Sequence, residues 1–267
     1  MKIVVCIKQV PGTSKVDIDE KTGVLKRWGV ESKMNPYDLV AIETALRIKE
    51  LTQGTCTAIT MGPESAKEIC MEAFALGVDE AVLLSDRRFA GADVLATSLT
   101  LAAGIKAVVS DVDIIITGKQ TTDGDTAQVG PEIAQRLNIP HIAWVEAIKD
   151  IEDKAIVVEY QLSHLQYQVK VNYPCLITVE KEIFVPRLPS YVLKKKKSMA
   201  DIQVLTMDDC HSLLENQCGL KGSPTQVERM FAPKRNDEQI MIEESVDKSA
   251  QFLKQLLLKE KFWEESE

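Results

Sequence analysis

The chain has 267 residues, 45% of them hydrophobic and 27% charged, with a formal net charge of −8. That length and apolar content suit one large α/β domain, or one domain with an added arm. The acidic balance argues against a nucleic-acid or anionic-membrane surface.

The opening MKIVVCIKQV is too short for a secretory core or a membrane span, as is every later apolar run, so the expected location is cytoplasmic with no membrane contact. KIVVCIK, CTAITMG, DEAVLLSD and DIIITGK are short β-branched runs of the kind that stay buried on both faces, which predicts parallel strands. Between them, PYDLVAIETALRIKEL, ESAKEICMEAFALG and ADVLATSLTLAAGIKAVV repeat apolar residues at three and four, and Gly77 marks a helix stop. The order βαβαβαβ predicts a doubly wound, mostly parallel sheet with helices on both faces. Ligands then bind beyond the carboxyl ends of the strands.

After His141 the runs AWVEAI, KAIVVEYQL, YQVKVNY and CLITVEK read as antiparallel strands that extend the same sheet. From Arg187 onward the chain is irregular and charged, with KKKK at 194–197, before the amphipathic stretch VDKSAQFLKQLLLKEKFW. The expected organisation is an α/β nucleotide-binding domain over residues 1–186 and an arm over 187–267 that wraps a partner. Cys6, Cys56, Cys70, Cys175, Cys210 and Cys218 sit alone, without CxxC or zinc spacing, and read as reduced thiols. His141, His164 and His211 have no obvious partners and read as structural or surface residues. No catalytic residue and no metal ligand is expected.

GKQTTDGDTAQVGPE, residues 118–132, follows the fourth strand with little bulk. Gly124, Gly130 and the free N–H groups opening the next helix, with Pro131 in its first turn, make a cradle for phosphate oxygens. Asp123 and Asp125 suit hydrogen bonds to ribose or adenine, or Asx contacts that hold the loop. Gly and Asp are also ordinary turn residues, so the pattern alone leaves ligand binding and plain turn-building both open. No GxGxxG follows the first strand, and GKQT lacks Walker spacing. The nucleotide fold is neither an ordinary Rossmann unit nor a P-loop NTPase.

That loop, together with VVCIKQVP, MNPYDLVAIETAL, TMGP and GSPTQV in the same order, resembles the β subunit of electron transfer flavoproteins. The resemblance implies a heterodimer with an α subunit, and electron traffic between flavoprotein dehydrogenases and other carriers. The form DGDTAQVGP looks like the branch whose β subunit binds FAD, exchanges hydride with NAD(H) and bifurcates electrons between ferredoxin or flavodoxin and a dehydrogenase. The respiratory branch holds AMP in a bulkier, more acidic loop, which is the alternative. A nucleotide sensor without redox work is a third reading.

Carried over by position, Cys6, Asn35, Pro36 and Met61 line the adenine side. Lys119, Gln120, Asp123, Gly124, Asp125, Thr126, Ala127, Gln128, Val129 and Gly130 hold the nucleotide and flavin. Each has a plainer alternative: Asn35 as a helix cap, Met61 as core, Lys119 as a solvated charge. Two stretches depart from the family pattern. The hairpin VEYQLSHLQYQVKVNY lacks the usual Arg and Gly-Gly pair, and the loop that docks an acyl-CoA dehydrogenase reads RLPSYVLKKKKSM. Leu188, Tyr191, Val192, Leu193, Lys194 and Lys195 then form an apolar tip with basic flanks. The departures tilt the expected partner toward a lactate or other 2-hydroxyacid dehydrogenase, with acyl-CoA or enoyl-CoA enzymes next.

Overall fold

The apolar run at the start of the chain becomes β1 (Lys2–Cys6), the strand around which the rest is organised. The computed structural model describes residues 1–12, 32–228 and 241–262. In chain order β2 (Gln9–Pro11) and β3 (Ser32–Met34) pair as a small antiparallel ribbon. Then follow α1 (Pro36–Thr52), β4 (Thr55–Met61), α2 (Lys67–Leu76), β5 (Glu80–Leu84), α3 (Val94–Val108), β6 (Ile114–Gly118) and α4 (Val129–Leu137). After these come β7 (His141–Ile151), β8 (Ala155–Leu162), β9 (Leu165–Asn172), β10 (Cys175–Val179), α5 (Tyr191–Lys196), β11 (Ile202–Leu205) and α6 (Val246–Lys259).

The main sheet has nine strands in the order β11-β5-β4-β1-β6-β10-β7-β8-β9. Every pairing from β11 to β7 is parallel, and only β7-β8-β9 is antiparallel. The predicted doubly wound sheet is therefore present. Alternation along the strands sorts the core into two layers. Ile3 and Val5 pack with Ala41, Ala45, Ile69 and Ala73 of α1 and α2, whereas Val4 and Cys6 pack with Leu101, Ile105, Ile133 and Ala134 of α3 and α4. Gly77 closes α2 at φ 119, a left-handed geometry that glycine adopts without strain.

Two expectations need correction. CLITVEK is not an antiparallel extension: β10 runs parallel between β6 and β7, and all five of its residues are buried. Continuous burial on both faces is the mark of a central parallel strand, but the β8-β9 hairpin separates it in sequence from the strands it joins. The irregular stretch after Arg187 also contributes a strand, β11, to the far edge beside β5. By contact the chain separates into Met1–Arg229 and Met230–Glu267, so residues 187–229 share the unit that holds the sheet. In the second unit, α6 has no buried residue.

Three polar ties hold the 187–229 segment to the sheet unit. Arg88 pairs with Asp86 at 2.6 Å and Asp208 at 2.9 Å, while the Met207 N–H donates to Asp86. Asp93 caps α3 through the Ala96 N–H and also accepts from the Thr225 N–H, and its own N–H donates to Ser223 Oγ. Arg187 binds the nearly buried carboxylate of Glu43 at 2.7 Å and Glu50 at 2.7 Å. Arg187→Ala leaves Glu43 short of one cation, with Arg47 still beside it. A loss of about 1–3 kcal/mol is expected, read as a lower urea midpoint of the full chain at unchanged m; an unchanged midpoint would show that Arg47 suffices.

Candidate functional site

Strand order reverses at β1: β4 and β5 lie to one side and β6 to the other. In open α/β sheets this switch point leaves a crevice beyond the carboxyl ends of the two strands. Cys6 ends β1 and Gly118 ends β6, so the turn after β1, the start of α1 and the loop 119–130 frame that crevice. Cys6, Asn35, Pro36 and residues 119–130 converge here from three separate segments, and Met61 ends the neighbouring β4.

Asn35 is fully buried, and its amide donates to the Gln120 carbonyl at 2.9 Å while its Oδ1 accepts from the Thr122 N–H at 3.3 Å. It makes no side-chain cap to α1. Its task is to tie the loop to the helix start, where Pro36 occupies the first helical position. Cys6 is buried, and burial followed by the neighbouring Asp38 pushes its thiol up to about 12, so it stays protonated and has no redox nucleophile character. All six cysteines are free. Met61 ends β4 and packs against the α3 and α4 layer.

The loop is anchored at several points and open between them. Lys119 pairs with Glu180 at 2.5 Å and lies 4.9 Å above the Trp144 ring. The Gln120 amide donates to Asp125, and Lys8 pairs with Asp123 at 2.7 Å. Against the upward pull of partial burial, the Lys8 hydrogen bond and charge hold the Asp123 carboxyl below its ordinary range. Asp125 and Ala127 adopt φ 56 and 55, and Gln128 returns to the right-handed region at φ −105. Successive residues of opposite hand turn their N–H groups toward one side, the geometry of an anion-binding nest. α4 begins at once after this, without a side-chain cap, so its first N–H groups remain available. Gly124, Thr126 and Gln128 are exposed, and Val129 is half-buried. A Cβ at Gly124 would meet only Thr121 Oγ1, at 3.4 Å, whereas one at Gly130 would lie 2.7 Å from Thr117 Oγ1 and 2.8 Å from Thr178 Cγ2. Gly130 lets α4 sit against β6 and β10, and Gly124 leaves space for something else. These donors and this space fit a nucleotide.

Three residues at the crevice escape a reading of the sequence. Asp38 lies buried in the first turn of α1 and accepts the Lys8 N–H at 2.8 Å. Burial pushes its carboxyl up to about 7, against the opposing hydrogen bonds from Asn35 and Lys8. Lys8 reaches the loop from the opposite wall. Trp144, at the bulge of β7, takes φ 61, rare for an aromatic residue, and its N–H donates to Thr178 Oγ1 at 2.9 Å. Asp38 looks like an ordinary helix N-terminal acid in sequence, and the other two offer no local signal.

The Asp38 shift has a consequence for stability. Its folded pKa lies above the unfolded value of about 3.9, so the folded state holds a proton that the unfolded chain has released. Its favourable contribution is complete below about pH 4 and is lost as pH rises through about 7. The melting temperature should therefore fall between about pH 4 and pH 7, and Asp38→Asn should flatten that fall. Equal slopes in the two proteins would remove Asp38 as its source.

Of the expected docking residues, Leu188, Tyr191 and Val192 are exposed at 89%, 70% and 63%. Lys194 and Lys195 are also exposed, and Lys195 lies 4.8 Å over the Tyr191 ring. Leu193 differs: it is half-buried and helps line an open groove of about 590 Å³ with Leu46, Phe74 and Gly77. His141, His164 and His211 are all exposed. Among the described residues no acidic, His or Cys cluster could hold a metal, and no helix is long and apolar enough to cross a membrane.

A family model described as "Electron transfer flavoprotein domain" matches residues 22–209. The chain belongs to the electron transfer flavoprotein family. Within that family it is of the β-subunit type. The chain is 42% identical to "Electron transfer flavoprotein subunit beta" of Clostridium acetobutylicum, over 98% of this chain and 100% of that one. It is 49% identical to "Caffeyl-CoA reductase-Etf complex subunit CarD" of Acetobacterium woodii, over 87% and 88%. With "Protein FixA" of Sinorhizobium fredii it shares 39% identity, over 94% and 90%. The large, mostly parallel sheet with its antiparallel strands is consistent with that domain's fold.

Proposed function

We propose that this chain is the FAD-binding β subunit of an electron-bifurcating electron transfer flavoprotein. Paired with an α subunit, it exchanges a hydride with NAD(H) and divides electrons between ferredoxin or flavodoxin and a flavoprotein dehydrogenase. The observation that carries this reading is the open space at Gly124, flanked by the nested backbone at Ala127 and Gln128 and the uncapped start of α4. A bulky, acidic loop suits AMP, and a small one admits the longer dinucleotide.

Asn35, Gln120 and Thr126 to Gly130 would bind and orient the nucleotide, and the main chain would supply most of the hydrogen bonds. The flavin, when bound, supplies both one-electron and two-electron chemistry. The protein contributes a fixed positive charge at Lys119, held by Glu180, and an aromatic wall at Trp144. Arm residues from 187 onward would embrace the partner: Leu188, Tyr191 and Val192 form an uncovered apolar tip, and α6 has no buried side chain.

For the dehydrogenase, similarity to a caffeyl-CoA reductase complex subunit favours an enoyl-CoA or acyl-CoA type enzyme. Leu193 is half-buried in the groove beside Leu46 and Phe74, which takes it out of the exposed tip that pointed elsewhere. A lactate or other 2-hydroxyacid dehydrogenase remains as the second reading, carried by the exposed Tyr191. The deciding experiment is cofactor stoichiometry after denaturing the purified heterodimer. Two FAD and no AMP is the expected result. One FAD with one AMP would make this subunit the structural half of a simple electron carrier.

A further inference from the structure

We propose that Lys8 is the cation that meets the phosphates of the bound nucleotide, exchanging its Asp123 partner for phosphate oxygens; this inference rests on the nucleotide-binding reading above. Lys8 lies two residues beyond β1, at the switch point itself. Its main chain is fixed, because the Lys8 N–H donates to the buried Asp38 carboxylate at 2.8 Å and the preceding Ile7 N–H donates to the Ile59 carbonyl at 2.9 Å. Its side chain is not fixed in that way. The ammonium crosses the crevice to Asp123, with side-chain exposures of 45% and 32% for the two partners.

Charge makes such a cation necessary. The loop carries Asp123 and Asp125 just ahead of the nest at Ala127 and Gln128, and a diphosphate approaching those N–H groups also approaches two carboxylates. Among the described residues two lysines, Lys8 and Lys119, pair at this loop, and they differ in what they can give up. Lys119 holds Glu180, whose side chain is only 16% exposed. Breaking that pair strands a carboxylate away from water, which is expensive. Releasing Asp123 returns a carboxylate to solvent, and exposed pairs contribute little. Phosphate oxygens replace the lost partner with a stronger, doubly charged one. The exchange therefore falls to Lys8, and Asp38 acts as the positioning residue that sets where its stem begins.

The test uses calorimetric titration of the full-length chain with ADP and with adenosine, which lacks the phosphates. Lys8→Gln keeps the main-chain anchor and much of the side-chain length. It should weaken ADP about tenfold and leave adenosine within about twofold. Asp123→Asn removes the competing carboxylate and should tighten ADP about threefold relative to adenosine. Equal weakening of both ligands by Lys8→Gln, or no change in either, would overturn the assignment. A wild-type chain that binds neither ligand fails at the earlier step, because the crevice is then no nucleotide site. Thermal melts of both variants at the wild-type temperature verify that the fold is retained.

Discussion

Gly124→Asp leaves the protein folded and strips the heterodimer of the FAD assigned to this subunit. Folding is spared because the position is exposed, its backbone is outside the left-handed region, and an added Cβ meets only Thr121 Oγ1 at 3.4 Å. Exposed substitutions of this kind change stability by less than about 0.5 kcal/mol. Binding is not spared, because a third carboxylate joins Asp123 and Asp125 at the place where phosphates approach. At about 5 Å and an effective dielectric of about 20, one unit of repulsion costs roughly 3 kcal/mol, a loss of at least about a hundredfold in affinity. The readout is FAD released on denaturation, beside a circular dichroism melt. Gly124→Ala, which adds bulk without charge, should keep most of the flavin. Unchanged flavin content in a folded Gly124→Asp protein would remove the loop from the site.

Gly118→Ala has the opposite profile and chiefly damages the fold. A Cβ there would lie 2.6 Å from Asp38 Oδ1, 2.7 Å from Tyr37 Cβ and 2.8 Å from the Tyr37 carbonyl carbon. None of these neighbours can retreat cheaply. Tyr37 and Asp38 belong to the first turn of α1, and the Asp38 carboxylate is tied to the Lys8 N–H. β6 cannot retreat either, because it is hydrogen-bonded between β1 and β10. The start of α1 must move, and overpacking of this kind costs about 1–3 kcal/mol or more. A lower urea midpoint is the expected result, together with weaker nucleotide binding, since the Asn35 ties to Gln120 and Thr122 start from the same helix end. An unfolding free energy within about 0.5 kcal/mol of wild type would contradict the close approach of α1 to β6.

These two glycines look alike in the sequence, and only their surroundings separate them. GKQTTDGDTAQVGPE was recognisable as a loop poor in bulk after a buried strand. Its two kinds of glycine were not distinguishable there, because Gly118 and Gly130 are set by neighbours remote in the chain. Asn35 shows the same limit. A polar residue before Pro36 reads equally well as a helix cap or as a ligand contact; the structure shows no side-chain cap and a tie that holds the loop.

By itself, the sequence determined the alternation of buried strands and amphipathic helices and the position of the small-residue loop at a strand's carboxyl end. These features depend on periods of two and 3.6 residues, which any short window displays. Tertiary structure alone decided that β10 inserts between β6 and β7, that β11 returns to the far edge, and that Lys8, Asp38 and Trp144 surround the crevice. The physical reason is range. Strand neighbours, buried ion pairs and the clearance around a glycine are properties of contacts between segments far apart in the chain, and local patterns carry no record of them.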